Sequence, residues 1–150
     1  MAKRDYITTQ DFTKEELLEI ADVLATGISY SIDAMNDSER AVEYYDRGYY
    51  SSARTAGQYA QESASAAQNS IAVAYNLVGD FNVYYNFDGV KYSLHDLLIN
   101  AFSFYQNALD YDLSDAANVC GVQMNTGSAA IWHERAQTVI IALLENGYYV

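Results

Sequence analysis

Apolar residues return along the chain at helical spacing, first through Leu17, Ala21, Leu24, Ile28, Ile32 and Met35, while Glu15, Glu19 and Asp22 fall on other faces. Thr13 opens this run, with Glu16 three residues on. Thr13 can accept from the Glu16 backbone N–H and the Glu16 carboxylate can reach back, a capping box. "NDSE" then interrupts the stripe and offers a second cap at Asn36, which predicts a separate short helix from about Ser38 to Arg47 that stops at Gly48.

The next helix begins near Ser51. Its stripe reads Ala53, Gly57, Ala60, Ala64, Ala67, Ile71, Ala74 and Val78, in alternating steps of four and three, before Gly79 ends it. Side chains this small let another helix come close, although each buries little area. Between Phe81 and Ser93 the pattern changes to β-branched and aromatic residues around Asp88-Gly89, which predicts a hairpin or ordered loop lying against the helices. Ser93, with Asp96 at the third position, caps a helix whose stripe is Leu94, Leu98, Ala101, Tyr105 and Ala108. From Asp110 to Ser128 the pattern is ambiguous and reads as a short helix at Ser114–Val119 followed by a glycine-containing loop. A last helix carries Trp132, Ala136, Val139 and Leu143 and stops at Asn146-Gly147. The expected fold is all-α: one domain over 1–150, an up-and-down bundle of four main helices with a small hairpin inserted near 81–93.

Composition agrees with long uninterrupted helices, since the chain of 150 residues has no proline and eight glycines. A net charge of −12 disfavours nucleic acid and anionic membranes as direct partners, while it leaves open competition for the basic groove of a nucleic-acid-binding protein. Cys120 is the only cysteine, so no intramolecular disulfide can form. "MAKRDYITTQDF" lacks the apolar stretch of a signal peptide, and no run reaches the roughly 20 apolar residues of a membrane span. These features lead us to expect a soluble, cytoplasmic protein of a bacterial cell or a phage-infected host.

Little chemistry is visible. Neither His95 nor His133 has a glutamate three residues upstream, the spacing that a bundle metal site favours, so neither metal nor cofactor is expected. Cys120 in "NVCGV" has no basic residue near it and reads as a buried, inert thiol. "NTGSAA" is either an ordinary loop and cap or a weak anion site at a helix start. His95, beside Asp96 in the first turn of its helix, is a structural or a catalytic histidine. The main anomaly is fifteen tyrosines, with doublets at Tyr44-Tyr45, Tyr49-Tyr50, Tyr84-Tyr85 and Tyr148-Tyr149. Adjacent helical residues point about 100° apart, so some of these rings must lie at the rim of the core, suited to contact with a partner.

"AVEYYDRGYYSSARTAGQYAQESASAAQNSIAVAYNLVG", followed by "SLHDLL", resembles the HEPN domain over roughly 60 of 150 residues. Gly48 and Tyr50 fit a helix ending in Gly-x-Tyr; Ala53, Ala60, Glu62 and Ala64 fit its alanine-rich helix; Gly79, His95, Asp96 and Leu97 fit the His-Asp-Leu helix start. Ala67 stands where relatives commonly carry lysine. The resemblance implies a helical bundle, often dimeric, found with nucleotidyltransferases and in defence or toxin systems. Active members are RNases with an arginine four to six residues before a histidine. Arg47, Arg54 and Arg135 have no such histidine, so the resemblance implies a non-catalytic member. "DFTKEELLEIADVLA" is also similar to the first helix of carbamoyltransferases, but the Ser-Thr-Arg-Thr phosphate motif of those enzymes is missing.

The expected function is therefore a protein-binding module without catalysis or cofactor. Its partner is a protein, such as a nucleic-acid-binding protein, a nucleotidyltransferase or a second copy of the chain. The expected contact residues are Tyr44, Tyr45, Tyr49 and Tyr50, with Glu39, Glu43 and Asp46. The alternative is a phage-type acidic inhibitor, a nucleic-acid mimic in which Asp33, Asp37, Glu39, Glu43 and Asp46 stand in for phosphates. A HEPN-type RNase is the second alternative.

Overall fold

In the computed structural model, which describes residues 12–80 and 83–149, the chain is an all-α bundle with one small hairpin. Four α-helices run over Lys14–Asp46 (α1), Tyr50–Val78 (α2), Leu94–Asp110 (α3) and Val119–Glu145 (α4). Strands Tyr84–Phe87 (β1) and Val90–Ser93 (β2) lie between α2 and α3, and a short 3-10 turn, Ala116–Asn118, precedes α4. α1 packs on α2 and α4, and α3 closes the ring against the same two helices.

Two of the three expected caps form, at Thr13 and Ser93. Thr13 Oγ1 accepts from the Glu16 N–H at 3.1 Å and Glu16 returns the bond at 3.0 Å, while Ser93 Oγ accepts from the Asp96 N–H at 3.0 Å. Gly48, at φ +81°, ends α1 in a Schellman turn. Its N–H donates to Tyr45 O, and the Tyr49 N–H donates to Tyr44 O, both at 2.9 Å. Gly147 ends α4 the same way, with Tyr148 donating to Leu143 O at 2.9 Å. The hairpin forms as expected: Tyr85 pairs Tyr92 and Phe87 pairs Val90, across an Asp88-Gly89 turn with both φ values positive.

Two boundaries differ from expectation. α1 does not break at "NDSE" but runs unbroken for 33 residues. The polar residues that suggested a cap are satisfied within the helix: Ser38 Oγ donates to Met35 O at 2.9 Å, and Arg40 pairs with Asp37 at 3.3 Å. The buried stripe also differs. It runs Leu17, Ile20, Leu24, Gly27, Ser31, Ala34, Ser38 and Ala41, in steps of three and four. Ile32 is exposed instead, and Ile28 and Met35 are half-buried. The second half of α1 thus presents small residues, as does α2, whose whole expected stripe from Ala53 to Val78 is buried. Two helices with so little side chain between them approach closely, and their contact is the most extensive in the bundle.

The second difference is α4. The expected glycine loop is helix, and the 3-10 turn replaces the short helix expected at Ser114–Val119. Val119, Val122, Thr126, Ala129, His133, Ala136, Ile140 and Leu143 form its buried stripe. "NTGSAA" therefore lies inside α4, where its backbone N–H groups are spent in the helix and no anion can sit on them. Trp132 is half-buried beside that stripe.

Glutamines join the helices where alanines leave room. Gln61 Nε2 donates to Ala108 O at 3.1 Å and Tyr111 O at 3.0 Å, satisfying carbonyls at the end of α3. Gln68 Nε2 donates to Phe102 O and to Gln106 Oε1.

Candidate functional site

The Schellman turn at Gly48 places the four expected tyrosines at one end of the bundle, where α1 passes into α2. They do not share one environment. Tyr44 and Tyr45, on the last turn of α1, are half-buried against a small core of Ala41, Ala53, Ala56, Ala60, Ala108, Leu113, Val119 and Val122. Tyr49 and Tyr50, beyond the turn, are 58% and 51% exposed. Tyr45 and Tyr50 meet with ring centroids 5.2 Å apart at 37°. The doublets thus divide into anchoring rings and presented rings, as adjacent helical positions require.

Clefts open on both sides of this edge. One, of about 450 Å3, is lined by Tyr45, Tyr50, Arg54, Ser114, Asp115 and Ala116. The other, of about 280 Å3, is lined by Arg40, Tyr44, Ser51, Ser52, Thr55, Ala56 and Tyr59. Arg54 and Tyr59 are not among the contact residues expected from the sequence, although Arg54 lies one helical step beyond Tyr50 on α2. α2 has neither a side-chain cap nor an acidic residue in its first turn, so its positive end adds to the three arginines around this edge.

Glu39, Glu43 and Asp46 are exposed on the same stretch of α1. Glu43 pairs with Arg47 at 2.7 Å, and Arg40 holds Asp37. Both pairs are exposed and contribute little stability, but they interleave positive charge with the acidic row. Asp33 is exposed one turn earlier.

Both histidines make contacts within the fold. His95 Nε2 donates to Gly79 O at 2.8 Å, the carbonyl at the end of α2, and its ring lies 5.3 Å from that of Tyr75. His133 is fully buried between α1 and α3. Its Nε2 lies 3.0 Å from Leu24 O and its Nδ1 lies 2.7 Å from the Tyr105 hydroxyl. A carbonyl only accepts, so Nε2 carries the proton and Nδ1 accepts from Tyr105. Burial holds the imidazole down at about 4, opposed by its hydrogen bond to Leu24, and burial pushes the Tyr105 hydroxyl well above its usual range. Cys120, expected in a loop and buried, lies in the first turn of α4 and is half-buried.

Arg135 sits over three rings, with its guanidinium carbon 5.0 Å from the Trp132 centroid, 5.3 Å from Phe87 and 5.7 Å from Tyr92. This cation–π contact joins the hairpin to α4. Among the described residues no group of three or more His, Cys, Asp or Glu could hold a metal ion, and no helix is long and apolar enough to cross a membrane.

No protein-family model, curated protein or solved structure matches the chain. The functional reading rests on this chain's own residues.

Proposed function

We propose that the protein is an acidic helical protein-binding module, HEPN-like in character and without catalysis of its own. The observation that carries this is the tyrosine edge. Tyr49 and Tyr50 are largely exposed on a rigid helix–turn–helix corner, next to anchored Tyr44 and Tyr45 and between two clefts. Rigid aromatic rings beside an arginine are the residue types that dominate binding energy at protein interfaces. A HEPN-like module of this kind belongs to a defence or toxin–antitoxin setting, with a nucleotidyltransferase, a nucleic-acid-binding protein or a second copy as its partner.

The inhibitor reading draws on the exposure of Glu39, Glu43 and Asp46. It is the weaker reading, because Arg40 and Arg47 interrupt the row that would have to imitate phosphates.

The test is cross-linking and light scattering of the protein in the cell that produces it, comparing wild type with Tyr49→Ala/Tyr50→Ala. Loss of one defined complex, or of a homodimer, supports the tyrosine edge; an unchanged set of complexes overturns it. A complex that survives the tyrosine changes but is lost on charge reversal at Glu39, Glu43 and Asp46, and weakens steeply with salt, assigns the inhibitor reading instead.

A further inference from the structure

Four of the eight glycines lie inside helices, where glycine is less stable than alanine. Close packing accounts for three. A Cβ on Gly27 would come 2.6 Å from the His133 ring, one on Gly57 would come 3.0 Å from Val119, and one on Gly121 would run into the Tyr111 ring. Gly127 is the exception. No atom lies within 4 Å of its Cβ position, so nothing within the described fold requires a bare backbone there.

Gly127 lines a groove of about 180 Å3 between α1 and α4, together with Met35, Ser38, Glu39, Gln123 and Met124. Met124 is 71% exposed. Ile131, one turn beyond Gly127 on α4, is 53% exposed, and Ile32, one turn before Met35 on α1, is 52% exposed. Spacings of three and four put Met124, Gly127 and Ile131 on one face of α4. An apolar strip of this kind, with an exposed, flexible methionine at one end, marks a surface that packs against something else.

The charge around the groove decides the occupant. Glu39 lines it, and Glu134 is exposed one turn beyond Ile131. The described basic side chains are engaged with other groups: Arg40 with Asp37, Arg47 with Glu43, Arg54 at the tyrosine cleft and Lys14 and Lys91 over aromatic rings, while Arg135, one turn beyond Ile131, turns its guanidinium onto Trp132, Phe87 and Tyr92. We infer that this groove docks a cationic amphipathic helix of a partner protein. The incoming backbone crosses close over Gly127, its apolar stripe packs on Met124, Ile131 and Ile32, and its lysines or arginines meet Glu39 and Glu134. A second copy is the poorer fit, because it brings acidic rims together in a protein of net charge −12. The groove shares Glu39 with the acidic row of α1 but is lined by none of the four tyrosines, and the test uses substitutions on α4 alone.

The probe is a synthetic leucine–lysine amphipathic helix of about four turns, titrated against the full chain by calorimetry. A glutamate-for-lysine version of the same peptide serves as control. Expected is binding of the cationic peptide only, weakened at least about tenfold by Met124→Glu/Ile131→Glu and by Gly127→Leu. The glutamate pair discriminates because it adds negative charge: general attraction of a cationic peptide would strengthen, whereas groove binding is lost. Gly127→Ala is expected to raise the melting temperature by about 2–4 °C while weakening the peptide, a split that a purely structural glycine does not produce. Peptide affinity unchanged or increased in the glutamate pair overturns the proposal. So does a dimer formed without peptide and broken by Met124→Glu, which would assign the groove to a second copy.

Discussion

The Tyr105 hydroxyl lies 2.7 Å from His133 Nδ1 in the centre of the bundle, and both side chains are fully buried. His133 passes its other hydrogen bond to Leu24 O. α1, α3 and α4 are thus joined by one chain of hydrogen bonds in which every donor has an acceptor. Tyr105→Phe leaves Nδ1 buried without its donor and is expected to cost about 1–3 kcal/mol, read from urea denaturation.

The same relay makes stability depend on pH. His133 has a folded value of about 4 against 6.5 unfolded, so between these values the unfolded chain holds a proton that the native chain excludes. Its contribution is present above 6.5 and is lost as pH falls through that window, by up to about 3 kcal/mol. A His133→Gln variant, less stable at neutral pH, should lack this component. Superimposable wild-type and variant slopes between pH 6.5 and 4 would show that the ring is not held neutral.

At Gly27, α1 packs tightly against both α4 and α2. A Cβ there meets His133 Cε1 and Ser70 Cβ, each at 2.6 Å, and neither is the free end of a flexible side chain. Gly27→Ala is therefore expected to destabilise by about 1–3 kcal/mol despite alanine's better helix propensity. Gly121→Ala should cost less, because the Tyr111 ring it meets is 36% exposed and can swing away. Thermal melts of the two variants give the order directly.

Thr126 is buried on the inner stripe of α4, and its hydroxyl has no hydrogen-bond partner among the described residues. Valine has nearly the same shape without the unsatisfied group. Thr126→Val is expected to be neutral or to stabilise by about 1 kcal/mol; a clear loss of stability in denaturant titration would mean that the hydroxyl is satisfied in solution.

Arg135 holds the hairpin by its contacts with Phe87 and Tyr92, while stacking on Trp132 of its own helix. Arg135→Ala should cost about 0.5–2 kcal/mol and speed amide exchange in β1 and β2 while the helices keep their protection. Arg135→Lys should restore only part, since ammonium lacks the planar face that stacks on rings. Trp132 fluorescence reports the same loosening.

Local chemistry wrote much of this fold into the chain. The capping residues Thr13 and Ser93, the glycine stops at Gly48, Gly79 and Gly147, the alanine stripe of α2 and the Asp88-Gly89 hairpin each depend on a few neighbouring residues. The tyrosine doublets pointed to a surface in the same way, because adjacent helical positions cannot both face a narrow core. Only tertiary structure decided the rest. "NDSE" is helix rather than cap because Ser38 and Ala41 are sealed against the bundle and the polar groups find partners within α1. "NTGSAA" is helix because Thr126 and Ala129 lie on the buried side of α4. The true stripe of α1 runs through Gly27 and Ser31 rather than Ile28 and Ile32, because contact with α2 and α4 selects small side chains over apolar ones. That choice is made by distance between helices, which no single segment encodes, and it leaves Ile32 and Met124 facing outward.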